Sequence, residues 1–196
     1  NLIGFNNCVY DLSKEESRKG RPEDYISLST KIDYIEYEEI DNSRELKEIK
    51  EFLKSIFVIK EIREYVMKRL SSFLSGSTKD EHFDVFSGGG GNGKSKIMEL
   101  LEKATGEYGC KLPISLLTSK RAASNAATPE LALTKGKRIA SLQEPDTETT
   151  LNVGLMKELT GGDTIQARAL FKEPIEFKPQ FKLILCCNDK PKLPEN

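Results

Sequence analysis

The spacing of hydrophobic positions changes near Asn42. Before that residue, short apolar and aromatic runs alternate with turn signals such as Gly20-Arg21-Pro22, which predicts a small region of short strands and turns. After it, apolar residues recur three or four positions apart through residues 46–57 and again through 62–74, the spacing of two amphipathic helices. Asn42 or Ser43 can cap the first helix. We expect the apolar stripes of both helices to be buried in the core.

The second half of the chain alternates strand-like apolar runs with helical segments. The predicted strands are 83–87, 110–117, 137–143, 164–171, 175–177 and 181–187. One predicted helix starts at Lys94, a second covers 122–133 and is interrupted by Pro129, and a third covers 149–160. This alternation is typical of an α/β fold with a central parallel sheet, in which ligands bind at the carboxyl ends of the strands. The loop after Ser87, Glu144 and Asn188 each follow a strand. We therefore expect these three features to form one site.

A glycine-rich turn joins the first of these strands to its helix. Gly88, four further residues and then Gly93-Lys94-Ser95 match the phosphate-binding pattern G-x-x-x-x-G-K-[ST] in full. Backbone N–H groups at a helix N-terminus can wrap a triphosphate, and glycine permits the unusual dihedrals of such a turn. A flexible linker would need neither the strand nor the helix. The candidate ATP-binding residues are Gly88, Gly89, Gly90, Gly91, Asn92, Gly93, Lys94, Ser95 and Lys96.

The side chains after the loop suggest how a nucleotide would be handled. Lys94 is expected to reach the β- and γ-phosphates, and Ser95 to bind a Mg²⁺ ion that keeps most of its waters. Glu144 lies where an ATPase of this architecture has the acid that activates water, although a surface glutamate before a turn is the alternative. Asn188 could orient that water or sense the γ-phosphate, and an ordinary turn asparagine explains it equally well. Gln143 replaces a frequent aspartate, so magnesium should depend on Ser95, water and Glu144.

The stretch before the last strand has the most local basic character. Positive residues alternate there with phenylalanines: Arg168, Lys172, Lys178 and Lys182 with Phe171, Phe177 and Phe181. The Lys172-Glu173-Pro174 segment is the expected tip of a hairpin. Cations beside aromatic rings suit a single-stranded nucleic acid, but a sheet with phenylalanine inside and lysine outside has the same pattern. From the residues alone we prefer the second interpretation.

Composition limits the class of protein. A chain of 196 residues can hold one substantial α/β core with a small accessory region, and a net charge of -1 provides no general attraction to nucleic acid. The 4 cysteines lack C-x-x-C spacing, which favours reduced thiols in a cytosol-like compartment. No apolar stretch suits a membrane span or signal peptide, so we expect an intracellular protein with no membrane partner. The chain begins without methionine, and we expect it to be part of a longer protein.

Four segments occur in a characteristic order. They are GGGGNGKS, KRIASLQEP, LMKELTGGDTIQARALFKEP and FKLILCCN. This order resembles the motifs of superfamily 3 helicases, in particular the primase-helicases of poxviruses and other large nucleocytoplasmic DNA viruses and the related phage and plasmid primases. The segments IGFNNCVYDL and GRPEDYIS are similar to the small region that precedes the ATPase in this group. The resemblance extends over residues 3–191.

The resemblance implies an AAA+-like P-loop NTPase that forms a homo-hexameric ring and uses ATP hydrolysis to pull one DNA strand through its centre. By position, Lys94, Glu144 and Asn188 would be catalytic, and Ser95 and Glu144 would hold Mg²⁺, partly through water. Lys172 and Arg168 would contact DNA from a hairpin that lines the channel. The implied partners are single-stranded or forked DNA, further copies of the chain and other replication proteins. If the chain comes from a large DNA virus, the implied location is the cytoplasm of the infected host cell.

The expected organisation is a small accessory region over 1–41, a helical segment over 42–78 and a P-loop ATPase core over 79–196, truncated at its C-terminal end. In this family the arginine that completes a neighbour's ATP site lies beyond the sensor strand. We therefore expect slow turnover here, since such an arginine contributes on the order of a thousandfold. An upstream primase module is expected to be missing too. Two other functions remain open: a monomeric P-loop small-molecule kinase, and a non-catalytic ATP-binding assembly module, which Gln143 favours.

Overall fold

The computed structural model describes residues 1–118, 126–143 and 150–194. Its strands are β1 (Leu2–Gly4), β2 (Val9–Asp11), β3 (Glu16–Arg18), β4 (Phe83–Ser87), β5 (Gly109–Leu112), β6 (Ile139–Gln143), β7 (Ile165–Ala167), β8 (Ile175–Phe177) and β9 (Lys182–Cys187). Its helices are α1 (Tyr37–Ile40), α2 (Arg44–Ile56), α3 (Lys60–Ser72), α4 (Lys94–Thr105), α5 (Ser115–Thr118), α6 (Pro129–Leu133) and α7 (Val153–Thr160). Strands alternate with helical segments from β4 to β7, as the hydrophobic pattern predicts, and β7, β8 and β9 then follow one another.

The central sheet has four parallel strands in the order β4-β9-β6-β5. Every residue of β9 is buried, as expected for a strand with a neighbour on each side and helices on both faces. Ser87 pairs with Cys187, and Gln143 pairs with Cys186, so β4, β6 and β9 end at the same edge. The prediction of an α/β fold with a central parallel sheet is therefore confirmed.

Alternate residues of β9 belong to two different hydrophobic clusters. Ile184 and Cys186 pack with Leu70 and Phe73 of α3 and with the buried side of α4. The alternate residues of β9, Leu183, Leu185 and Cys187, pack into a second cluster with α5, α6, α7 and β7. Because successive side chains of a strand point to opposite faces, the sheet is covered on both sides.

The helical segment before the sheet differs in part from its prediction. Helix α2 begins as expected, since the Leu46 N–H donates to Ser43 Oγ at 3.2 Å. In α3, however, Ile62 is 48% exposed and Tyr65 is 67% exposed, so the expectation that the whole stripe is buried was wrong. The buried contacts of this helix lie toward its C-terminal end, where Leu70 and Phe73 pack with strand residues and Val66 is partly buried against them.

Proline and capping residues set three other boundaries. Strand β5 ends at Leu112, just before Pro113, whereas the sequence predicted a longer strand. Pro129 is the first residue of α6 and does not interrupt a helix. Helix α7 starts at Val153, because Asn152 Oδ1 accepts the Leu155 N–H at 3.1 Å. Among the described residues, none of the helices has the length and apolar character needed to cross a membrane.

The N-terminal antiparallel sheet, β1-β2-β3, is attached to the turn that precedes β5. Tyr108 is only 5% exposed, and burial raises the pKa of its phenol. Its Oη accepts the Gly4 N–H at 2.8 Å and donates to Leu28 O at 2.9 Å. Glu107 Oε2 also accepts the Ser29 N–H at 2.8 Å. One buried phenol thus connects two N-terminal segments to the core.

Replacing Tyr108 with phenylalanine is expected to lower the free energy of unfolding by about 2–4 kcal/mol. The substitution removes one hydroxyl and leaves the buried Gly4 N–H and the partly buried Leu28 carbonyl without their partner, each worth about 1–3 kcal/mol. Denaturant unfolding followed by circular dichroism measures the change. Tyr25→Phe is the matched control, since Tyr25 is almost fully exposed and should lose less than about 0.5 kcal/mol. Equal losses of unfolding free energy in the two variants would contradict the role of Tyr108 in connecting the N-terminal segments to the core.

Candidate nucleotide site

The loop between β4 and α4 has the backbone of a phosphate cradle. Residues 88–93 separate the end of the strand from the first residue of the helix. Gly91 has φ +76° and Gly93 has φ +89°, in the left-handed region that glycine tolerates best. Gly93 is the N-cap of α4, and its carbonyl accepts the Ile97 N–H at 3.0 Å. The first turn of α4 thus begins directly at the loop, with its unpaired N–H groups available to an anion.

Lys94 lies over this loop. Its Nζ donates to Gly89 O at 3.2 Å and to Asn92 Oδ1 at 2.9 Å, and it also contacts Gly88 O. These acceptors are neutral oxygens, weaker partners for an ammonium group than phosphate oxygens are. The ammonium group is therefore already held at the cradle, in contacts that a bound phosphate could replace.

A cleft of about 700 Å³ opens at this loop. It is within the size range of small-molecule sites, about 300–1,000 Å³. Its lining residues come from three places, the loop and first turn of α4 (residues 90–96), the ends of β6 and β9, and α2. Gln143 and Asn188 are the polar residues at the strand ends. The structure therefore brings Asn188 beside Lys94 and Ser95, as the strand order predicted, whereas Glu144 lies outside the described residues.

Two cysteines form part of the cleft wall. Cys186 and Cys187 end β9, and both are free and buried. Burial raises the pKa of each thiol above its ordinary value, so both are protonated near neutral pH. Both cysteines pack in the hydrophobic core and also line the cleft.

The α2 wall of the cleft was not predicted from the sequence. Phe52, Ser55 and Ile56 line the cleft, although their spacing indicated only that they share a helix face. A Cβ atom at Gly93 would lie 2.3 Å from Ile56 Cδ1, so α2 contacts the phosphate loop directly. A stripe of apolar residues shows which side of a helix is buried, but not which element covers it.

Helix α3 is fixed to the strand that leads into the loop. Arg69 Nε and Nη2 donate to the two carboxylate oxygens of Asp84, each at 2.7 Å, and both side chains are largely buried. The Asp84 carboxylate raises the pKa of Arg69. The guanidinium also lies 5.3 Å from the centre of the Phe73 ring. This bidentate pair sets the position of the helical segment relative to β4.

The candidate DNA-binding residues lie on the β7–β8 hairpin and do not line the cleft. The connecting loop covers 168–174, wider than the predicted tip. Lys172 is exposed, and Phe171 beside it is fully exposed with φ +57°. The Arg168 N–H donates to Thr128 Oγ1 at 3.1 Å, which fixes one end of the loop to the start of α6.

Lys182 does not belong to the basic surface. It is only 4% exposed, and its Nζ donates to Ser75 O at 3.0 Å and to Ser77 O. Burial lowers its pKa. The sequence grouped it with the outward-facing lysines, which was wrong because β9 is a central strand with no solvent-exposed face. Its role is to bind the carbonyls of the segment between α3 and β4.

Within residues 1–118, 126–143 and 150–194, no group of three or more histidine, cysteine, aspartate or glutamate side chains is placed to hold a metal ion. His82 is exposed and contacts Asp80 O.

Two family models and several viral proteins are similar to this chain. The family described as "Family of unknown function (DUF5906)" matches residues 86–196, and the one described as "D5 N terminal like" matches residues 1–58. The chain is 50% identical over 190 residues to "Putative helicase L207/L206" of Acanthamoeba polyphaga mimivirus, covering 97% of this chain and 20% of that protein. It is 36% identical over 202 residues to "Putative helicase 184R" of Invertebrate iridescent virus 6, covering 100% and 21%.

The chain thus spans about a fifth of the length of these curated relatives. Among solved structures, "The A form apo structure of NrS-1 C terminal region-CTR" shares the fold, with a TM-score of 0.58 and 16% identity over 74% of this chain and 33% of that one. The motif order had indicated a relationship to helicases of large DNA viruses, and these matches confirm it. Because its family match covers more than half of the chain, the protein belongs to the DUF5906 family.

Proposed function

We propose that this chain is the ATP-driven motor segment of a DNA helicase of the viral replication primase-helicase type, with an AAA+-like P-loop NTPase core. One observation carries the proposal. The glycine loop and Lys94 at the start of α4 share a cleft with Gln143 and Asn188, which end or follow neighbouring parallel strands. A triphosphate held by the loop would have its terminal phosphate next to polar groups on the strand ends. The viral relatives that are named as helicases support DNA as the partner.

Each loop residue has a defined task in this proposal. The amides of residues 88–93 wrap the phosphates, and Lys94 exchanges its contacts with Gly89 O and Asn92 Oδ1 for phosphate oxygens. Asn188 senses the γ-phosphate or orients the attacking water. Glu144 follows β6 directly in the sequence and accepts the proton from that water.

Magnesium fits the donor set at this loop. Ser95 is exposed and lines the cleft, and hydroxyl, phosphate and water oxygens are the ligands that Mg²⁺ prefers. Ser95 would hold the ion, with Glu144 contributing partly through water. The ion would neutralise charge on the β- and γ-phosphates.

The proposed DNA contacts connect to the ATP site through one strand. Lys172 and Arg168 lie on the β7–β8 hairpin, and the chain continues from β8 into β9, at whose end Asn188 lies. A shift of β9 on hydrolysis would therefore move the hairpin. In a homo-hexameric ring, six such hairpins would surround one DNA strand, and a neighbouring subunit would complete each ATP site.

Lys172→Ala in the full-length protein is expected to lower the stimulation of ATP turnover by single-stranded DNA, because one phosphate contact per subunit is lost. The measured quantity is the ratio of turnover with DNA to turnover without it. Lys79→Ala is the control, since Lys79 is also exposed but lies on the segment between α3 and β4. If DNA stimulates ATP turnover of Lys172→Ala as strongly as that of the wild type, Lys172 does not contact DNA.

The same assay separates the alternative functions. Strand separation on forked DNA together with DNA-stimulated turnover by a ring supports the helicase. DNA-independent phosphoryl transfer to a small molecule by a monomer would identify a kinase. A ring that binds ATP without turnover would identify an assembly module, the function that Gln143 favours.

A further inference from the structure

The cleft has a wall that the proposed phosphate chemistry leaves unused. Phe52, Ser55 and Ile56 of α2 line it, at positions i, i+3 and i+4 on one side of the helix. Phe52 and Ile56 are partly buried against the α3–α4 side of the core, so the helix itself positions them. An aromatic ring and an aliphatic side chain offer nothing to a phosphate, but they suit the flat, apolar face of a base.

Contact with the loop fixes this wall in place. Ile56 Cδ1 would lie only 2.3 Å from a Cβ at Gly93, the residue immediately before Lys94. The distance between the apolar wall and the phosphate cradle is therefore set by direct packing. The other part of the cleft, formed by the strand ends, carries the polar groups Gln143 and Asn188. The two parts suit opposite ends of a nucleotide.

Ser55 adds a polar group within the apolar wall. Its hydroxyl donates to Phe52 O at 2.7 Å within the helix. The lone pairs of its oxygen remain available to accept a hydrogen bond. This arrangement suits an amino or hydroxyl group on the polar edge of a base or ribose.

We propose that α2 forms the nucleoside part of the ATP site, with Phe52 and Ile56 against the base and Ser55 at its polar edge. The inference rests on the proposed function and adds a binding wall to it. Helix α2 lies within residues 1–58, which match the D5 N-terminal-like family, whereas the phosphate loop lies within residues 86–196, which match DUF5906. Both matched segments thus contribute to one nucleotide site.

The test compares MgATP with inorganic tripolyphosphate and Mg²⁺, a ligand that has the phosphates but lacks the nucleoside. Isothermal titration calorimetry on the full-length protein measures both dissociation constants. Phe52→Ala is expected to weaken MgATP binding about tenfold, the usual scale of a lost aromatic contact with a base. Tripolyphosphate binding should stay unchanged, so the ratio of the two constants shifts about tenfold.

Two further variants separate contact from folding. Phe57→Ala removes a phenylalanine that packs in the same cluster without lining the cleft, and its ratio should equal that of the wild type. Phe52→Leu keeps apolar packing but lacks the aromatic face, and its ratio should lie between the wild-type and alanine values. A ratio that Phe52→Ala leaves unchanged would overturn the nucleoside wall while the phosphate site stands. Failure of the wild type to bind either ligand would overturn the proposed function as well.

Discussion

Replacing Lys94 with alanine is expected to weaken MgATP binding at least about thirtyfold and to abolish measurable ATP turnover. The Lys94 ammonium is half-buried and already held at the cradle by Gly89 O and Asn92 Oδ1. Removing one member of a desolvated, hydrogen-bonded charge pair costs about 2–5 kcal/mol, and each 1.4 kcal/mol is about tenfold in affinity. Calorimetric titration with MgATP measures the affinity, and phosphate release measures the turnover.

Lys103→Ala is the matched control for this change. Lys103 lies on the same helix, is largely exposed and pairs with Glu99 at 3.0 Å, away from the cleft. It should bind MgATP as the wild type does, since exposed ion pairs contribute at most about 1 kcal/mol to stability. Circular dichroism on both variants establishes that the fold is retained. An affinity of folded Lys94→Ala within about threefold of the wild type would contradict a phosphate role for Lys94.

The geometry of the phosphate loop could be predicted from the sequence because its causes are local. Residues of strand type lead into glycines, and a lysine follows where the helix begins, so neighbouring residues determine the backbone of β4, the loop and α4. The approach of Asn188 to this loop is long-range, but one topological rule covers it. Parallel strands that belong to one sheet end at one edge, and the strand assignments were correct enough for that rule to apply.

Features that depend on which elements pack together could not be predicted. The apolar stripe of α2 indicated a buried face, but nothing in the stripe specified that Ile56 would contact Gly93. Lys182 looked like an outward-facing lysine because its neighbours alternate, and only the central place of β9 in the sheet explains its burial. Ile62 and Tyr65 continue a helical stripe that extends beyond the part of α3 in contact with the sheet.

Gly93→Ala is expected to lower the free energy of unfolding by about 2–5 kcal/mol and to weaken MgATP binding. Gly93 has φ +89°, and a left-handed backbone costs a residue with a Cβ about 1–2 kcal/mol. The new methyl group would also lie 2.3 Å from Ile56 Cδ1, and such overpacking typically costs about 1–3 kcal/mol. Relief of this overlap would displace either α2 or the loop, and the loop amides that we propose wrap the phosphates would lose their alignment.

A double-mutant cycle with Ile56→Ala separates the two causes. Ile56→Ala removes the atoms closest to the new methyl group, so Gly93→Ala in that background should cost only the backbone strain, about 1–2 kcal/mol. Gly154→Ala is the control substitution, because Gly154 lies in α7 with no close side-chain obstruction and should be neutral or slightly stabilising. Equal costs of Gly93→Ala in the two backgrounds would show that α2 does not press on the loop. A coupling above about 1 kcal/mol would instead establish that Ile56 of α2 packs directly against the loop at Gly93, as the proposed nucleoside wall requires.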